Sequence, residues 1–239
     1  LKSAAAVIPA RFQSTRFPGK PLALIKGKPM IQRVYEGVRG SKGLRRIIIA
    51  TDDRRIYDAA VGFGAEVVMT SVEHASGTER VAEAAASLEE DIIVNVQGDE
   101  PLIRGEIIDR LLAALEGAAV PMASVMAKVT DLGLASDPHL VKVVTDESGR
   151  ALYFSRSPLP YCPQGYFHQH IGLYAYRRQF LLALARMAPS RLECQEKLEQ
   201  LRVLERGYDI KMIEVERPTL SVDTPQDIIK VEEFLAQNT

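Results

Sequence analysis

Three fixed cations, Arg11, Arg16 and Lys20, share a stretch from Pro9 to Pro21 that contains no acid. Ser14, Thr15 and Gly19 lie among them. Such a loop suits a polyanion, because fixed positive charge and small hydroxyls neutralise and hydrogen-bond phosphate oxygens. A solvated basic loop has the same composition, so context must decide. The loop is not a P-loop, since Gly19-Lys20 runs into Pro21 instead of Ser or Thr, and it lacks the glycines of a dinucleotide fingerprint. Two remote acids could complete a phosphate site. Asp99 follows Gln97-Gly98, where glycine allows close backbone approach, and is a candidate Mg²⁺ ligand or a turn cap. Asp223 stands before Thr224-Pro225-Gln226-Asp227, a helix start that has no need of it, so it is a candidate second metal carboxylate. Arg80 is expected in the first turn of a helix capped by Thr78, where a cation opposes the helix dipole and calls for an anionic partner or for solvent. Asp52-Asp53 can cap a helix or touch a ribose. His168 and His170 pair at i, i+2 without third or fourth partners, too few for zinc.

The elements that must position these residues follow from hydrophobic period. Ala4–Ile8 is a short buried strand ended by Pro9, which cannot donate to a ladder. Residues 30–38 have helical spacing, 45–50 form a strand, 56–63 a helix and 66–69 a strand. This is a βαβ series with a parallel sheet, whose ligands bind beyond the carboxyl ends of the strands. A helix at 80–88 leads to the most apolar strand, 91–97, which delivers Gly98-Asp99 to that same edge. After a helix at 107–115 the rhythm changes. A strand at 122–129, a hairpin of 141–145 with 151–154 about Asp146–Gly149, and a strand at 171–176 form a meander, with a loop at 161–168. Residues 121–176 are expected to hold a substrate lobe or dimer arm within one domain of 1–239, whose nucleotide core is 1–120 with 210–239. A helix at 180–187, a charged helix at 192–204 with a solvated acidic face, a strand at 210–215 and a last helix at 226–236 complete the chain.

Composition excludes several classes. With 239 residues, 46% of them hydrophobic, the chain can bury a substantial core. A net charge of −1 gives no global support for nucleic-acid binding, so any anion site must be local. Cys162 and Cys194 lie far apart, as expected in a reducing compartment, and the apolar run at the amino end is too short for a signal or a membrane span. The expectation is a soluble cytoplasmic protein with no nucleic-acid or membrane partner.

Taken together, IPARFQSTRFPGKPL, IIIATDD, SGTERVAE, VNVQGDEP, VKVV with ALYFSRSPLP, HIGLYAYR, LEQLRVLE and SVDTPQD resemble the CMP-KDO synthetases, the 3-deoxy-manno-octulosonate cytidylyltransferases, over nearly the whole length and in the family's order. The resemblance implies an α/β, Rossmann-like, mostly parallel sheet with helices on both faces, of the nucleotide-diphospho-sugar transferase type, plus a small β-rich lobe. It implies transfer of CMP from CTP to the acid sugar KDO with release of diphosphate, for lipopolysaccharide biosynthesis, with Mg²⁺ as cofactor and a homodimer as the assembly. Arg11, Lys20, Asp99 and Asp223 would be catalytic, the two aspartates holding the metal. Pro9, Ala10, Arg11, Ser14, Arg16, Lys20, Gln97 and Gly98 would bind nucleotide. Arg80, Arg156, His170, Tyr174, Glu199 and Gln200 would bind sugar. Two rivals share the phosphate machinery: CMP transfer to another acid sugar, 8-amino-KDO or a sialic acid, and a CTP-sensing domain without turnover.

Overall fold

The computed structural model describes residues 2–13, 17–74, 76–161, 164–216 and 220–237. They fall into two compact units, residues 1–109 with 219–239, and residues 110–218.

In the first unit, β1 (Ala4–Ala10) is the centre of a parallel sheet. A two-strand ribbon follows, β2 (Leu24–Ile25) with β3 (Lys28–Pro29), and then α1 (Met30–Val38). Next come β4 (Arg46–Thr51), α2 (Arg54–Gly62), β5 (Glu66–Met69), α3 (Gly77–Ala86), β6 (Ile92–Val96) and α4 (Gly105–Glu116), which runs across the division. Strand order is β6-β1-β4-β5, all parallel. Both faces of β1 and β6 are covered, which is why they read as unbroken apolar runs instead of alternating ones. Ala4, Ala5 and Ala6 are buried, and small side chains there let α3, itself rich in buried alanine, pack closely on β1. Helix α3 begins earlier than the sequence suggests. Ser76, not Thr78, is its cap, accepting from the Glu79 N–H at 3.2 Å, and Thr78 is buried within the first turn.

In the second unit, β7 (Met122–Val129) precedes β8 (Lys142–Thr145) and β9 (Ala151–Ser155), an antiparallel hairpin. Its turn is held by Asp146, which accepts from Ser148 Oγ and from Arg150. Strand β10 (Phe167–Arg177) starts four residues before the expected strand, so Phe167 and His168 belong to sheet and not to loop. It is followed by α5 (Arg178–Leu184), α6 (Arg191–Glu196), α7 (Leu201–Glu205) and β11 (Ile210–Val215). The sheet order is β11-β7-β10, with β11 parallel and β10 antiparallel to β7, and β8 pairs with β10. The expected charged helix at 192–204 is in fact two helices. Lys197 takes the left-handed conformation, φ 55°, and ends α6. Its acids are not simply solvated: Glu193 grips buried Arg202 at 2.7 Å and 2.5 Å, and Glu196 accepts from Ser155 Oγ at 2.8 Å and the Arg156 N–H at 3.0 Å.

The chain returns to the first unit at 220–237 with α8 (Pro225–Gln237). Among the described residues no helix is long and apolar enough to cross a membrane.

Candidate active site

The carboxyl ends of β1 and β6 lie side by side, Val7 being paired with Asn95, so Pro9–Arg11 and Gln97–Asp99 emerge together. Gly98 is required by this approach: a Cβ on it would stand 2.8 Å from the Pro9 carbonyl oxygen. The chain leaving β1 turns back through Gly19, φ 72°, whose N–H donates to the Phe12 carbonyl at 2.9 Å. That turn opens a single 3₁₀ turn at Lys20–Leu22 and aims Lys20 at the strand ends. The segment before α8 is pinned to the same place, the Val222 N–H donating to the Asp99 carbonyl at 2.9 Å.

The two remote aspartates meet at one ammonium. Lys20 Nζ is 2.6 Å from Asp99 Oδ2 and 3.6 Å from Asp223 Oδ1, and it donates to the Val222 carbonyl at 2.8 Å. A half-buried cation between two carboxylates stabilises both, and neither acid is remote from solvent. Two carboxylates that reach one point are hard oxygen donors of the kind that could hold Mg²⁺. Among the described residues no group of three or more His, Cys, Asp or Glu could hold a metal.

Around this centre a cavity of about 230 Å³ is lined by Pro9, Ala10, Arg11, Lys20, Gln97, Gly98, Asp99 and Asp223, together with Arg80 and the start of α3. The first-turn cation of α3 therefore does have an anionic partner. Arg80, 3% exposed, donates to Asp52 Oδ2 at 2.6 Å, to Thr70 Oγ1, and to the Ser71 carbonyl at 3.3 Å. Of the adjacent acids, Asp53 takes the capping role, accepting from the Arg55 N–H at 2.9 Å, and Asp52 holds Arg80, a use the sequence did not suggest. His74 also lines the cavity, tied to Glu83, and no local pattern of residues points to it. Ser14 and Arg16 lie outside the described residues.

The remaining sugar candidates belong to the second unit. His170 and Tyr174 sit on β10 four positions apart, which a regular strand would separate by about 13 Å. Their rings are 5.5 Å apart. A break in register explains this: Ile171 pairs with Val125 but Tyr174 pairs with Ser124, leaving two extra residues in β10. His170 Nε2 lies 2.9 Å from Ser124 Oγ, and Gln200 Nε2 lies 3.5 Å from His170 Nδ1. Burial pushes the His170 pKa down to about 3, and burial, helped by Glu199, pushes the Tyr174 phenol well above its usual range. Glu199 stands 3.8 Å from Arg202. Arg156 uses its guanidinium on main-chain carbonyls, those of Glu196 at 3.0 Å, Pro138 at 2.9 Å and Lys197 at 3.4 Å. Beneath it Lys142, fully buried, donates to the carbonyls of Asp137, Leu140 and Arg156, and burial lowers its pKa. A lysine inside an apolar strand was the available sign of that anchor.

The family model described as cytidylyltransferase matches residues 5–212. A 3-deoxy-manno-octulosonate cytidylyltransferase of Syntrophotalea carbinolica is 50% identical, with 98% of each chain covered. That of Geobacter metallireducens is 49% identical, with 97% of each covered. Among solved structures, a CMP:2-keto-3-deoxy-manno-octonic acid synthetase complexed with CTP superposes with a TM-score of 0.95 at 41% identity, covering 99% of this chain and 100% of that one. The 4-diphosphocytidyl-2C-methyl-D-erythritol synthase of Anaerococcus prevotii, at 15% identity and a TM-score of 0.66 over 98% of this chain and 99% of that one, shares the fold.

Proposed function

The chain belongs to the cytidylyltransferase family, and from that premise we propose that it transfers CMP from CTP to 3-deoxy-manno-octulosonate, giving CMP-KDO and diphosphate for lipopolysaccharide synthesis. The carrying observation is the meeting of Asp99 and Asp223 at Lys20, beside Arg11 and beyond the ends of two parallel strands. The CTP in the solved relative and the enzyme names of the curated relatives support the same substrates.

In this reaction the anomeric hydroxyl oxygen of the sugar bonds to the α-phosphorus. The bond from that phosphorus to the bridging oxygen breaks in line, diphosphate leaves, and the hydroxyl proton is lost. Catalysis of such a transfer is mostly positioning and charge neutralisation. Arg11 and Lys20 bind the triphosphate and offset the charge that develops on the leaving group, with Arg16 assisting. Gln97, with Pro9 and Ala10, faces the nucleoside. Asp99 and Asp223 would hold Mg²⁺, which supplies Lewis-acid neutralisation of phosphate oxygens when bound. Arg80, Arg156, His170, Tyr174, Glu199 and Gln200 serve the sugar, whose hydroxyls donate to the carboxylate and amide oxygens.

The working unit is a homodimer in the cytoplasm. Residues 121–176 support the dimer by exposing Leu132, Leu134, Leu152 and Tyr161, and light scattering tests it. The activity itself is tested by diphosphate release with CTP against the other three triphosphates, each with KDO, and with CTP against 8-amino-KDO and a sialic acid. CTP with KDO is expected to be fastest. CTP binding without diphosphate release would overturn the assignment. Asp223→Asn at limiting Mg²⁺ tests the metal role, unchanged activity removing Asp223 from it.

A further inference from the structure

Ser124 is completely buried on β7, opposite the break in register of β10. The two unpaired residues of that break turn the Leu173 carbonyl onto the Ser124 hydroxyl at 3.0 Å, with the Ile171 carbonyl at 3.5 Å. A serine has one proton to give, and the nearer carbonyl takes it. What remains on Oγ are lone pairs, so the contact at 2.9 Å with His170 Nε2 needs the proton on the histidine. Nδ1 is then a bare acceptor, and the amide nitrogen of Gln200 faces it at 3.5 Å. The Gln200 side chain is thereby oriented, its nitrogen on the histidine and its carbonyl oxygen turned away. Phe154 stands edge-on to the imidazole at 5.0 Å and Tyr174 lies at 5.5 Å, so the ring is fixed by packing as well as by hydrogen bonds.

We propose that Ser124 is a positioning residue that locks His170 as the neutral Nε2–H tautomer, and that His170 in turn aims the Gln200 amide, so the histidine serves the sugar subsite as a scaffold and not as a cationic ligand. This rests on the sugar-subsite reading given above. Both ring nitrogens are spent on protein groups, and the low pKa imposed by burial agrees with an uncharged ring. The carboxylate of an acid sugar therefore draws its positive charge from elsewhere, and Gln200 presents an acceptor suited to a sugar hydroxyl.

The test is long-range ¹H–¹⁵N NMR of the full-length, histidine-labelled protein, with steady-state kinetics beside it. In the wild type His170 shows the neutral Nε2–H pattern throughout pH 5–8. In Ser124→Ala it moves to Nδ1–H or a tautomer mixture, and KM for KDO rises about tenfold, the size of one buried hydrogen bond, while KM for CTP is unchanged. Ser124→Thr, which keeps the hydroxyl, restores both readouts. An imidazolium or an Nδ1–H pattern in the wild type overturns the inference, as does an Ser124→Ala protein with unaltered tautomer or unaltered KM for KDO. Should Ser124→Ala fail to fold, the wild-type spectrum decides alone. If the wild type does not turn over KDO while the tautomer and its dependence on Ser124 hold, the reaction assignment falls and the Ser124–His170–Gln200 relay stands.

Discussion

Replacing Asp52 with Ala would strand Arg80, whose side chain is 4% exposed and 2.6 Å from the carboxylate it would lose. Thr70 Oγ1 and the Ser71 carbonyl remain, but neither carries charge. Removing one partner of a buried ion pair costs about 3–5 kcal/mol, because the other charge stays desolvated and uncompensated. Asp52 is slightly more open, at 16%, so the lower end of that range applies. For a chain of this length each kcal/mol lowers Tm by about 2–4 °C, so Asp52→Ala should melt about 6–12 °C below wild type. Arg80→Met removes the buried charge itself and should be milder. In the double variant the losses should not add, with a coupling energy of about 1–3 kcal/mol. The assay is thermal denaturation of all four proteins at low and high salt, the buried pair being little screened. A Tm within about 2 °C of wild type for Asp52→Ala, or strict additivity in the cycle, would refute the reasoning. Because Arg80 lines the cavity, diphosphate release should fall in parallel and not return when the temperature is lowered.

Lys20→Met should lower kcat for diphosphate release on the order of 10²–10³-fold, and Lys20→Arg should not rescue it, since a planar fork cannot meet Asp99, Val222 and Asp223 as a compact ammonium does. Burial alone would raise the Asp227 pKa, but hydrogen bonds from Lys230, from Thr224 and from the Asp223 N–H outweigh it and hold it at about 2. Its stabilisation, about 2 kcal/mol, is therefore present above pH 3.8 and lost as pH falls through about 2. Asp227→Asn should be destabilised in urea at pH 7, and its deficit should vanish in strong acid. His170 runs from 6.5 unfolded to about 3 folded, so the unfolded chain takes the proton first and stability drops as pH falls from 6.5 toward 3. His170→Gln should flatten that part of the urea–pH profile, and an unchanged slope would remove the buried neutral ring. Lys142→Met leaves three partly buried carbonyls without their shared donor and should cost about 3 kcal/mol in urea denaturation.

The core was legible because β1 and β6 are buried along their length and α1 is amphipathic, and α1, β5, β7 and β11 fall where the hydrophobic period puts them. The placing of Lys20 beside Asp99 followed from one rule, that loops after parallel strands share an edge, whereas Asp223 was legible only as an acid its helix start did not need. What the pattern hid was side-chain pairing across long separations. Nothing local tells that Asp52 caps no helix but reaches Arg80, or that Glu193 turns inward to Arg202. The helix break at Lys197 was equally silent, since a left-handed lysine has no Gly or Pro to announce it. The extension of β10 back to Phe167 was masked by the Pro- and Gly-containing stretch before it.

The extra pair of residues in β10 keeps a parity. Because the slip against β7 is two and not one, Ile171 and Tyr174 still face the sides that Val125 and Ser124 face. A single deletion at Gly172 or Leu173 would turn the whole strand beyond it inside out, presenting Ala175 where Tyr174 now points. Loss of both residues together would keep the inside and outside of the strand and leave Tyr174 two positions from His170 on the same face, but it would take away the Leu173 carbonyl to which Ser124 donates. Chain length at this point can therefore change in even steps without everting the sheet, and the present length is what brings a carbonyl onto the buried Ser124 hydroxyl.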